Sequence, residues 1–164
     1  MKPISLKFLA LTIGLFSASC TFGTSRLGSA AVRQINNTPC FSITDSDINR
    51  DKPFQLSALT VYDATVKPSK EVWSFILPPE TPQKITSATC ISYGQAPLKS
   101  ESMKAIPLAS GRIYEVYINA SNSDPTDPTF AYEAKFCVLD QPNNGKTIHR
   151  IIFDKAWRYE PCFK

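Results

Sequence analysis

The sequence predicts an all-β chain folded as an immunoglobulin-like, two-sheet antiparallel β-sandwich. Three observations carry that expectation. Residues 112–120 and 130–138 alternate apolar and polar side chains. Asn144-Gly145 is a tight-turn pair between two β-type runs. Thirteen prolines, with only scattered helical periodicity, argue against an α-rich fold.

Taken in chain order, the first candidates are VRQIN (32–36), CFSI (40–43), FQLSALTVYD (54–63), EVWSFIL (71–77) and ITSATCI (85–91). Each is short and rich in β-branched and aromatic residues, and Pro, Asp, Asn and Ser separate them. Trp73, in the fourth run, is expected to fill the core between sheets. RIYEVYINA (112–120) places Tyr114, Val116, Ile118 and Ala120 on one face and Glu115 and Asn119 on the other. FAYEAKFCV (130–138) repeats the pattern, with Phe130, Tyr132, Ala134, Phe136 and Val138 set against Glu133 and Lys135. Both read as half-buried antiparallel strands. PNNGK then turns the chain into TIHRIIF (147–153), closing a C-terminal meander. About eight short strands at this spacing suit a sandwich.

The N-terminus reads as an export signal spanning residues 1–19. Lys2 and Lys7 form the positive region, Phe8 to Phe16 the apolar region, and Ser17, Ala18 and Ser19 the small residues before cleavage. The apolar run is about half of the roughly 20 residues that a membrane-spanning helix needs. Cys20 follows at once, and SASC resembles the lipobox of bacterial lipoproteins, with Ser17 where that pattern prefers Leu. The resemblance implies that the Cys20 thiol receives diacylglycerol and that Cys20 becomes the mature N-terminus. Three acyl chains satisfy the two-signal requirement for stable membrane attachment. Thr21 stands where inner-membrane lipoproteins carry Asp, which implies the outer membrane, with the domain on its periplasmic face. Residues 20–30 read as the lipidated cysteine and a flexible tether, and residues 31–164 as the β-sandwich domain.

Removing 19 residues from 164 leaves 145, enough for one domain with its own core. Loss of Lys2 and Lys7 lowers the formal charge from +4 to +2. So weak an excess, with no basic cluster, gives no electrostatic case for nucleic acid. With Cys20 assigned, Cys40, Cys90, Cys137 and Cys162 remain as an even set. They contain no CxxC pair and are accompanied by a single histidine, His149, so two disulfides account for them better than a zinc site. Spacing leaves all three pairings open.

No catalytic residue, metal site or cofactor emerges. Any nucleophile–base scheme must recruit His149, which sits inside an apolar-alternating run where a histidine serves as a cross-strand partner. Gly145-Lys146-Thr147 looks like the end of a phosphate loop, but Asp140 occupies the position of the loop's first glycine. DSD (45–47) and DPTDP (124–128) lack a full calcium-ligand run and read as polar turns. Trp157, Arg158 and Tyr159 are the binding candidates, because aromatic and arginine side chains dominate interface hot spots. The competing reading has Trp157 packing over the last disulfide.

NNTPCFSI (36–43), TCISYG (89–94), SGRIYEVYINA (110–120) and YEAKFCV (132–138) resemble a family of small bacterial lipoproteins assigned as type VI secretion system immunity proteins of the periplasm. The family's marks are a lipobox, an early strand cysteine, a second cysteine in a Cys-Ile or Cys-Leu step before Tyr-Gly or Phe-Gly, and a G-x-x-Y strand hairpin. The likeness covers most of residues 31–140 and fades past 145. Cys40 and Cys90 fall on the family's recurring pair, which implies Cys40–Cys90 and leaves Cys137–Cys162, a pair that only some members add. The implied activity is binding without catalysis: capture of a protein toxin delivered into the periplasm, at a membrane held through the lipid anchor. A structural or accessory lipoprotein of an envelope assembly is the alternative.

Overall fold

The computed structural model describes residues 27–45, 53–122, 124, 126–143, 145–152 and 162. Cys20, the export signal, Asn144, Trp157, Arg158 and Tyr159 lie outside the described residues. Those that are described are all-β. The strands are β1 (Leu27–Ile35), β2 (Thr38–Ile43), β3 (Phe54–Asp63), β4 (Lys70–Ile76), β5 (Gln83–Ile85), β6 (Ile91–Ser92), β7 (Glu101–Ser102), β8 (Ile113–Asn122), β9 (Ala131–Asp140) and β10 (Lys146–Ile151). They form one curled sheet in the order β6-β2-β1-β9-β8-β3-β4-β7, with β10 also on β9 and β5 also on β3.

β1 produces the curl by changing partners along its length. Leu27, Gly28 and Ser29 pair in parallel with Ala131, Tyr132 and Glu133 of β9, whereas Ala30 to Ile35 pair antiparallel with β2. The second half therefore carries β2 and β6 over the inner face, where Phe41 of β2 meets Phe136 of β9 with ring centroids 5.6 Å apart. Among the described pairings only β1 with β9 is parallel, a departure from the wholly antiparallel expectation. β1 and β2 join through Asn36 and Asn37, with φ of 48° and 62°. Two successive positive φ angles give the turn a twist that matches its strands, and asparagine tolerates them.

The strongest sequence patterns set the core. Tyr114, Val116, Ile118 and Ala120 of β8 and Tyr132, Ala134, Phe136 and Val138 of β9 are all buried. Tyr114 stacks on Phe136 at 5.5 Å, and Phe54 of β3 meets Tyr132 edge-on at 5.5 Å. Trp73 is 1 % exposed and packs against Phe75 and Tyr93, filling the core as expected. In β3, Leu56 and Leu59 are an odd number of residues apart, yet both are buried. A bulge between Leu56 and Ala58 resolves the parity by restoring Leu59 and Val61 to the inner face.

Two expectations are corrected. Phe130, assigned to the inner face, precedes the first residue of β9 and is 53 % exposed. ITSATCI is not one strand: only Ile85 and Ile91 are in strands, because the Thr89 hydroxyl accepts the Thr86 N–H at 2.8 Å and the Thr89 N–H donates to the Thr86 carbonyl at 3.0 Å. A local side-chain turn thus outcompetes strand propensity.

Asp63 ends β3, 4 % exposed, and accepts hydrogen bonds from the Arg112 guanidinium and, at 3.0 Å, from the Thr65 N–H. Burial pushes its carboxyl pKa up, but the bonds from Arg112 and Thr65 outweigh burial and hold it below the ordinary value of 3.8. Because the folded value is depressed, its stabilisation is fully present above the unfolded pKa and is lost as pH falls through the folded one. Asp63→Asn is expected to lower stability at neutral pH by about 1–3 kcal/mol. It should also flatten the acid limb of stability below about pH 4. Thermal unfolding of both proteins across that range checks this; parallel acid limbs would contradict it.

Candidate functional site

The four described cysteines stand in two pairs at disulfide distance, in the connectivity that the family resemblance implies. Cys40 and Cys90 have Cα atoms 5.5 Å apart, and Cys137 and Cys162 5.8 Å. Cys137 points away from the main core. It forms a small second cluster with Ile113 and Cys162, which ties residue 162 to the outer face of β8 and β9.

His149 lies on β10 opposite Cys137 and is exposed, as a cross-strand partner would be. The DPTDP stretch is polar turn chemistry: Asp124 accepts the Thr126 N–H at 2.9 Å and Asp127 accepts the Thr129 N–H at 3.0 Å. The Gly145 N–H donates to the Asn143 side-chain oxygen at 3.2 Å, and the Gly145 carbonyl accepts the Gln141 N–H at 2.9 Å. Among the described residues no group of three or more His, Cys, Asp or Glu is placed to hold a metal ion.

The arrangement best suited to recognition lies on the β4–β7 edge, and sequence reasoning missed it. The connection from β6 to β7 reaches a tip at Pro97–Ser100, where the Ser100 N–H and hydroxyl both donate to the Pro97 carbonyl, at 3.3 and 2.7 Å. Leu98, at the second position of this turn, is 94 % exposed. Lys99, at the third, has φ of 65°. A left-handed conformation costs a residue with a Cβ roughly 1–2 kcal/mol. Such strain persists only where the surroundings over-determine it, and it clusters at binding and active sites.

The chain on either side of this turn is fastened to β2 and β4. Cys90 anchors the approach to the loop, and the Tyr93 N–H donates to the Pro39 carbonyl at 2.9 Å. The Tyr93 hydroxyl donates to the Ile106 carbonyl at 2.6 Å, with the Val72 carbonyl at 3.2 Å. Burial pushes the Tyr93 phenol well above its usual pKa, so it remains a donor at every physiological pH. Gly94, at φ 82°, lets the chain pass close to Ala105. On the far side, Met103 and Ile106 donate to the Ser74 and Val72 carbonyls at 3.0 and 2.9 Å, fastening the return segment along β4.

Two further apolar side chains stand exposed on this edge. Ile76 is 61 % exposed and lies opposite Glu101 in the β4–β7 ladder, and Ile106 is 40 % exposed. Lys99, Glu101 and Lys104 are exposed around them. Exposed apolar side chains interspersed with charged ones make this edge a candidate for protein binding. The one signal available in the sequence was an apolar residue between Pro97 and Lys99, in a stretch that otherwise reads as loop. No protein-family model, no curated protein and no solved structure matches this chain.

Proposed function

We propose that this chain is a periplasm-facing lipoprotein of the outer membrane that binds and neutralises a toxin delivered by type VI secretion. The resemblance in its strand and cysteine motifs supports this reading, and so does one structural observation: Leu98, almost wholly exposed, on a strained turn whose flanking segments are fastened by a disulfide and by hydrogen bonds. A large apolar side chain held in water on a rigid support is poised for a partner. Pre-fixing the loop removes an ordering cost of about 0.5–1.5 kcal/mol per side chain that a flexible loop would incur on association.

The scaffold reading is an immunoglobulin-like sandwich, supported by the packing of β2 across β9 through Phe41 and Phe136. Its rigidity is what the mechanism requires. Neutralisation proceeds by occupying the toxin's active site, so no side chain of this protein takes part in bond making.

Protection is therefore stoichiometric and independent of His149. Titrating the toxin from the same cells should give full protection at one equivalent, for the unmodified protein and for His149→Ala alike. The exposed imidazole contributes about 0.5 kcal/mol or less to stability. Protection by far less than one equivalent, abolished by His149→Ala, would show catalytic detoxification instead.

A further inference from the structure

β1 and β10 lie side by side without pairing. Among the described residues no ladder and no backbone–backbone hydrogen bond joins them. Each nevertheless turns a row of peptide groups toward the gap. The Ser29 carbonyl accepts the Thr44 N–H at 3.1 Å, so Ser29 and every second residue after it bond to β2. The peptide groups of Ala30, Val32 and Gln34 therefore point the other way, toward β10. On β10 the Lys146 carbonyl and the Ile148 N–H are taken up from the β1 side and so face away from β9.

Two side chains span the gap, one from each strand. The Gln34 amide donates to the Lys146 carbonyl at 2.7 Å and accepts the Ile148 N–H at 2.9 Å. Those are the two bonds that one residue of a parallel neighbouring strand would make, to the residues before and after its opposite number. A side-chain amide, with a donor and an acceptor in one plane, takes the place of a missing peptide. Its other hydrogen donates to the Asn37 side-chain oxygen at 3.1 Å, which ties it to the β1–β2 turn. Arg150 reaches in the opposite direction, and its guanidinium donates to the Ala30 carbonyl at 3.1 Å.

The bridges cover both polar and apolar surface. They engage the Lys146 carbonyl, the Ile148 N–H and the Ala30 carbonyl, main-chain groups that would otherwise form open strand edges. Val32 and Ile148, in the same stretch, pack half-buried against the main core. An opened seam would bare these two side chains together with two unpaired edges. An open edge beside apolar surface is the template on which one chain adds to the sheet of another.

We propose that Gln34 and Arg150 form a latch that closes the curled sheet on itself and keeps the β1 and β10 edges from pairing with a second copy of the chain. Hydrogen exchange and sedimentation of the protein, isolated from its cells in mild detergent, test this together. Gln34→Ala should speed exchange of the Ile148 amide roughly fivefold, the equivalent of one ordinary hydrogen bond, and leave the Val116 and Ala134 amides of β8 and β9 unchanged. Gln34→Met, of similar length but able to make neither bond, should do the same. The unmodified protein should sediment as a monomer, and Gln34→Ala combined with Arg150→Ala should form a dimer as concentration rises. Unchanged exchange at Ile148 in both single variants overturns the latch. Exchange that quickens equally at Val116 and Ala134 also overturns it, because Gln34 would then support the whole domain. A doubly substituted protein that stays monomeric at every concentration, or an unmodified protein that is already a dimer, overturns the guarding of the edges.

Discussion

Replacing Cys40 and Cys90 together by alanine is expected to cost about 4 kcal/mol of unfolding free energy, from the chain entropy of a 50-residue loop. Against the 5–15 kcal/mol of a typical domain, that is a large share. Local geometry gives little to replace it. β6 contributes only two ladder pairs to β2, Cys40 with Ser92 and Phe41 with Ile91, so without the crosslink the approach to the Leu98 loop hangs on those pairs and on Tyr93. The same substitution at Cys137 and Cys162, with a 25-residue separation, should cost about 3.5 kcal/mol. Only the first pair lies on the approach to the Leu98 turn, so it alone should weaken the proposed toxin capture beyond its effect on stability. Denaturant unfolding of both variants checks the stabilities. A loss under about 1 kcal/mol for Cys40 and Cys90 would mean that the ladder and the Phe41–Phe136 contact hold β2 unaided.

Alternation made the inner faces of β8 and β9 legible in the sequence, because period-two patterning and one-sided burial are the same fact read twice. It failed where a strand breaks its own period. Leu56 and Leu59 of β3 face the same way only because of a bulge that no local preference announces. The parallel pairing of Leu27–Ser29 with Ala131–Glu133 joins segments about a hundred residues apart, so no short-range pattern encodes it. ITSATCI carries strand-forming residues, but its threonines also bond their own backbone, and that local option prevailed. The Leu98 turn was invisible for a different reason: a single apolar residue in a loop has no periodicity, and its meaning comes from being almost wholly exposed beside a residue with positive φ. The aromatic–arginine stretch at 157–159, singled out by composition, lies outside the described residues.

Leu98→Asp has the second large expected effect, on binding and not on folding. At 94 % exposure the side chain contributes little to the fold, so unfolding should change by about 0.5 kcal/mol or less. In a complex the same position would forfeit about 1.5–3 kcal/mol of apolar burial and would bury an unpaired carboxylate in its place. Affinity should fall about a hundredfold or more. Growth competition reads both the role and the residue. A strain lacking this gene is grown beside its parent, with the parent's type VI apparatus either intact or disabled, and is complemented with the unmodified or the Leu98→Asp gene. The account predicts that the deletion strain is killed only by the armed parent, is rescued by the unmodified gene, and is not rescued by Leu98→Asp. Equal survival of the deletion strain beside armed and disarmed parents would contradict it.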